Sequence, residues 1–151
     1  MEAGSVLMQF QDLGFSAVLA LAAIGSALGT GIAGMAAVGA WKKCFAQNKA
    51  APFMLTVFVG APLSQTIYGM IVMNTLAAKV SGGAFCWGTG ILAGLAIGIS
   101  ALMQGKAGAG AADALAETGK GFGNYIMVLG VIETVALFVM VFTMMAVGNI
   151  K

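Results

Sequence analysis

Four long apolar runs, each separated from the next by a short polar stretch, constrain this chain of 151 residues more than any motif in it. Each run matches or exceeds the ~20 residues needed to cross the ~30 Å hydrocarbon core of a bilayer. Hydrocarbon offers no partner to a free N–H or C=O, so such segments must be α-helices. The chain is therefore expected to be an all-α membrane protein with transmembrane helices at about residues 10–46, 52–79, 84–114 and 122–149. The breaks, WKKCFAQNKAAP, KVSGGA and DALAETGKG, are too short to hold a soluble domain. Only 8% of the residues are charged, against roughly a quarter in a soluble domain.

Other classes drop out on composition. A net charge of +2 is too small and too dispersed to attract nucleic acid. No GxxxxGK[ST] stretch is present to cradle a nucleotide phosphate, so the chain is expected to be no enzyme on its own. Cys44 and Cys86 lie in different segments without metal-ligand spacing and read as packing residues. The start, MEAGSVLMQF, lacks a basic flank, so the first run reads as a retained span. Lys42, Lys43, Lys49, Lys106 and Lys120 fall in or beside the first and third breaks. That excess marks those two loops as cytoplasmic and puts both termini outside the cell membrane. Trp41 and Trp87 then anchor opposite interfaces.

The sequence also repeats. Ser26-Ala27-Leu28 aligns with Ser100-Ala101-Leu102, which sets Thr30 against Gln104, and Gln65-Thr66-Ile67 aligns with Glu133-Thr134-Val135. Residues 1–80 and 81–151 thus read as two tandem helical hairpins running the same way. Gly25 and Gly29 in the first span, and Gly90, Gly94 and Gly98 in the third, have the spacing that lets helix backbones close in lipid. Spans two and four are instead rich in Leu, Ile, Val, Met and Phe. That contrast suits two layers, with spans one and three crowded inside a ring of several copies and spans two and four against lipid. Ordinary pairing inside one four-helix bundle is the alternative.

Glu133 is the lone charge of the fourth run, and a mid-membrane carboxylate marks an ion or proton path by default. At 1.5 Å per residue, Gln65 lies about 21 Å from Lys79, Gln104 about 26 Å from Trp87 and Glu133 about 24 Å from Asn149. Three polar groups on three helices therefore share a depth. Ala61, Ser64, Gln65 and Tyr68 follow a spacing that places them on one helix face, and Pro62 deprives the Phe58 carbonyl of its helical partner. One carboxylate, two amide oxygens, one hydroxyl and one backbone carbonyl form a hard-oxygen set, which suits a hard cation. A single negative charge balances a monovalent ion. Carrying H⁺ would need the carboxyl group alone, so the two amides and the serine favour Na⁺. Gln65 and Gln104 could instead simply tie helices together. Thr134, Thr30 and Ser26 are expected to bond back to their own helices.

The stretch PLSQTIYG at 62–69, the QGK at 104–106 and the IET at 132–134 resemble the membrane rotor proteolipid (the K or c subunit) of V-type ATPases, particularly the bacterial sodium-translocating kind. The resemblance runs over nearly the whole chain. It implies a sodium ion held by Glu133, Gln65, Gln104, the Ser64 hydroxyl and the Ala61 carbonyl, with Tyr68 bonding the glutamate and Thr134 beside it. Serine stands where threonine is usual, and Ala61 where leucine is usual. The implied partners are copies of the chain in a ring, a stator membrane subunit supplying a cation, a central stalk at the cytoplasmic loops, and lipid. Coupling to ATP hydrolysis or synthesis would occur in partner subunits. The same rotor carrying H⁺ is the first alternative, and a small proton-coupled multidrug exporter the second. An exporter needs a roomy aromatic chamber, which glycine- and alanine-rich spans do not suggest.

Overall fold

A computed structural model describes residues 3–149, with side chains described from Leu13 onward. The extreme ends of both expected hairpins, and with them the termini expected outside, lie beyond the described residues. The elements are α1 (Ala3–Ala46), α2 (Leu55–Gly60), a 3₁₀ turn (Ala61–Leu63), α3 (Ser64–Ser81), α4 (Trp87–Thr118) and α5 (Phe122–Gly148). Four stretches, Leu13–Ala46, Leu55–Ser81, Trp87–Thr118 and Phe122–Gly148, are long and apolar enough to cross a membrane. The protein is all-helical, with no strand among the described residues.

The second span changes its hydrogen-bond pattern where proline requires it. Pro62 sits inside the 3₁₀ turn that separates α2 from α3, because it cannot donate the next helical bond. The third break is shorter than its composition suggests. DALAET continues α4 to Thr118, beyond the expected end near residue 114, because Ala, Leu and Glu are good helix formers. The helix stops at Gly119, whose φ of 65° an L side chain would resist, and α5 starts after Gly121 at φ 88°. With 32 residues, α4 is about 48 Å long, so it outruns the ~30 Å hydrocarbon. Its polar end therefore reaches past the apolar layer, where Glu117 meets Lys43 at 3.6 Å.

The glycines work inside one chain. Helices α1 and α4 run in the same direction with their backbones in contact. A Cβ on Gly90 would strike the Gly14 backbone, one on Gly94 would stand 2.8 Å from the Val18 Cα, and one on Gly105 would strike Gly29. Gly25 faces Gly98, and Gly29 faces the Ala101 carbonyl and Pro62. This corrects the expectation that such crowding needs several copies; one chain suffices. The corresponding seam also brings α3 against α1 in the opposite sense, with Gly69 against Ala22. Helix α5 lies on the outside, where only Leu129, Ala136 and Val147 are buried.

The apolar interior falls into two clusters. One, toward the α1–α2 and α4–α5 connections, gathers Ala37, Cys44, Leu55, Phe58, Leu115 and Leu129. The other, toward the opposite end, gathers Val18, Val72, Leu76, Cys86, Ile97 and Val147. Between them lies a layer of buried polar side chains, Ser26, Gln65, Ser100 and Gln104. Polar groups in such a place cost free energy wherever they do not satisfy one another, since neither cluster offers them a partner.

Candidate functional site

Three helices deliver the network that reaches Glu133. The 3₁₀ turn and α3 supply Ala61, Ser64, Gln65 and Tyr68, α4 supplies Gln104, and α5 supplies Glu133. Tyr68 donates its phenolic proton to Glu133 Oε1 at 2.6 Å. Gln104 donates from Nε2 to Glu133 Oε2 at 3.3 Å and to the Leu129 carbonyl at 3.0 Å. Gln65 Nε2 in turn donates to Gln104 Oε1 at 2.7 Å. Ser64 Oγ lies 3.2 Å from Gln65 Oε1 and 3.2 Å from the Ala61 carbonyl oxygen, so its single proton is shared between them. One continuous hydrogen-bonded chain thus links Ala61 to Glu133 across three helices.

Burial makes this chain consequential. Gln65 and Gln104 are fully buried, and an amide in that position costs free energy unless its donors and acceptors are met. Glu133 is half-buried and forms one wall of a recess of about 370 Å³, open at the outer surface between the α2 end of the second span and α5. Val57, Gly60, Ala61, Ile126, Leu129 and Gly130 complete its lining, with Gln104 at the back. The two apolar clusters close the bundle along its axis, so the carboxylate communicates sideways, with the lipid-facing surface. Among the described residues no group of three or more His, Cys, Asp or Glu side chains could hold a metal ion. A cation here would rely on the neutral oxygens beside the single carboxylate.

Of the expected site residues, Glu133, Gln104, Gln65, Ser64, Ala61 and Tyr68 come together in the one network. Thr134 does not join it: the side chain is exposed and its hydroxyl bonds back to the Val131 carbonyl at 2.6 Å. Ser26 and Thr30 correct a different expectation. Neither bonds back to α1; both hydroxyls are buried without a partner among the described residues. Ser100 stands out in the sequence only as part of the repeat, yet its hydroxyl donates to the Ile132 carbonyl at 2.9 Å. Its place four residues before Gln104, on the same helix face, is the signal that points to it. The backbone carbonyls of Leu129 and Ile132 carry no such signal.

Residues 87–146, which span nearly all of α4 and α5, match the family model of the ATP synthase C-subunit. The match covers two of the four spans, and that stretch is similar to the ATP synthase C-subunit family. No match is found among curated proteins.

Proposed function

We propose that this chain is the rotor proteolipid of a V-type, sodium-translocating ATPase, and that it carries one Na⁺ on Glu133. The observation that supports this best is the oxygen-rich network joining the carboxylate to two buried amides, a serine hydroxyl and the carbonyl beside Pro62. The Gln104 amide oxygen already faces inward and is met by the Gln65 amide nitrogen. Turning the Gln65 amide over exchanges that donor for an oxygen, and the two glutamines, Ser64, Ala61 and Glu133 then present five hard ligands to one monovalent ion. Tyr68 keeps the carboxylate aimed throughout. Once neutralised by its ion, Glu133 crosses lipid at far lower cost than as a bare anion.

Transport follows from the lateral opening. A stator subunit covers the recess in turn on each copy, and a cationic side chain there competes with Na⁺ for the carboxylate. The chain contains Lys but no cationic partner for Glu133 among the described residues, so this cation comes from outside it. Gly31, Gly39 and Gly110, where a Cβ would meet nothing in the chain, lie on exposed faces of α1 and α4 and leave room for neighbouring copies. The α1–α2 and α4–α5 connections, which carry Lys49 and Lys120, face the cytoplasm and seat the central stalk.

Binding of ²²Na⁺ to the purified ring at pH 8 tests the reading. Saturable binding is expected in the wild type and none in Glu133→Gln, which keeps the shape and removes the charge, with the ring still assembled. Sodium should also protect Glu133 from dicyclohexylcarbodiimide. Labelling of Glu133 that responds to pH and is indifferent to sodium would replace Na⁺ with H⁺ as the cargo.

A further inference from the structure

Serine and threonine hydroxyls within helices commonly bond a carbonyl one turn back. Thr75, Thr118 and Thr134 do so here, on Ile71, Ala114 and Val131. Ser100 departs from that habit. Though well buried, it donates across to α5, to the Ile132 carbonyl at 2.9 Å. One turn farther along α4, Gln104 donates to the Leu129 carbonyl at 3.0 Å. Two side chains on one helix thus hold two carbonyls on the other, and Glu133 directly follows Ile132 in the chain. We propose that Ser100 is a positioning residue of the ion site: its bond to Ile132 sets the rotation of α5 and so aims the Glu133 carboxylate at Tyr68 and Gln104.

Helix α5 depends on such a tie. It buries few side chains, and in lipid its apolar residues find similar surroundings whichever way the helix turns. The carboxylate stands well off the helix axis, so a small rotation would carry it out of reach of the 2.6 Å bond to Tyr68. The first hairpin provides an internal control. Ser26, the counterpart of Ser100, has a buried hydroxyl with no partner among the described residues. The carbonyls equivalent to Leu129 and Ile132 there are those of Ala61 and Ser64, and Ala61 is approached by Ser64 itself. The serine tie is present in the copy that carries the acid and missing from the copy that carries Gln65.

This inference rests on Glu133 being the ion carrier, and the experiment separates the two. Intact rings of wild type, Ser100→Ala and Ser100→Thr are titrated with NaCl, and sodium protection of Glu133 from dicyclohexylcarbodiimide is read by mass spectrometry. Ser100→Ala should weaken protection about three- to tenfold, the scale of one ordinary hydrogen bond. Ser100→Thr, which keeps the hydroxyl, should return to within about twofold of wild type. Should Ser100→Ala fail to assemble, Ser100→Cys, a weaker donor, should give an intermediate loss. A variant that melts earlier yet binds sodium like wild type would overturn the proposal and leave Ser100 as a helix tie alone. If wild type labels at Glu133 without sodium protection, the sodium reading fails; the pH profile of labelling then tests Ser100, with a shift in Ser100→Ala expected and an unchanged profile overturning it. No labelling of Glu133 in wild type would remove the carrier reading and this inference together.

Discussion

The two hairpins share a plan and differ at the positions that carry chemistry. Ser26 and Thr30 in the first stand where Ser100 and Gln104 stand in the second, and Gln65 stands where Glu133 does. In the second copy the serine and the glutamine hold α5 through its backbone and the glutamine reaches the carboxylate. In the first, the two hydroxyls bond nothing among the described residues, and the second span is broken by Pro62 instead of being held. The first hairpin instead contributes side chains to the network around Glu133. Its Tyr68 bonds Glu133 directly, while Gln65 reaches it through Gln104, and Ser64 joins Gln65 to the Ala61 carbonyl. The network around Glu133 thus draws on both halves and requires that they pack in register.

That register is the most vulnerable part of the comparison. Gly94→Leu would drive a side chain into the α1 backbone, where even a Cβ stands 2.8 Å from the Val18 Cα. Flexible neighbours can absorb overpacking at about 1–3 kcal/mol, but a facing backbone cannot move aside. The variant should fail to give a folded subunit at all, read as loss of detergent-stable protein. Gly31→Leu, on an open face of α1, should leave the subunit folded and disturb only contact between copies. A Gly94→Leu protein that folds and binds ions normally would break the view that the hairpins are locked through this seam.

The next test compares equivalent positions. Gln104→Ala removes a side chain bonded to Gln65, Leu129 and Glu133. Its charge-assisted contact and the amide it leaves unpaired should together lower Na⁺ affinity about ten- to a hundredfold. Thr30→Ala at the matching place should change affinity by less than about twofold, since the hydroxyl bonds nothing there. Equal losses measured by ²²Na⁺ titration would show that the first hairpin still takes part through α1.

Much of this arrangement is legible in the sequence. Span lengths, the depth shared by Gln65, Gln104 and Glu133, and the interruption at Pro62 all follow from rise per residue and from the missing proline N–H. Side chains that must meet across helices leave their mark as polar exceptions within apolar runs. What stays hidden is which partner each one takes. The glycine spacing of α1 and α4 signals close backbone approach equally well within one chain or between copies, and only the packing of Gly94 on Val18 and Gly105 on Gly29 separates the two. Likewise a mid-helix serine reads as back-bonded by default, so nothing but geometry tells Ser100, bonded to α5, from Ser26, bonded to nothing described. Asp113 and Glu117 mislead in the opposite way, because a polar stretch marks the end of the apolar layer and not the end of the helix.

The smallest effect is also the most discriminating, because it asks for a gain. Ser26 is almost fully buried at 2% exposure, and its hydroxyl, like that of Thr30, meets no partner among the described residues. A buried hydroxyl left unpaired costs about 1–3 kcal/mol, while its removal from serine takes away little volume. Ser26→Ala should therefore leave ion binding unchanged and raise the melting temperature of the purified protein slightly, and Thr30→Val, nearly the same shape, should do likewise. The identical change at Ser100 is expected to weaken the ion site, so one substitution at two matched positions should give effects of different kind. If Ser26→Ala lowers the melting temperature instead, its hydroxyl is held by a bridging water or a neighbouring copy. The first hairpin would then retain a working serine tie of its own, and the contrast between the halves would shrink to Gln65 against Glu133.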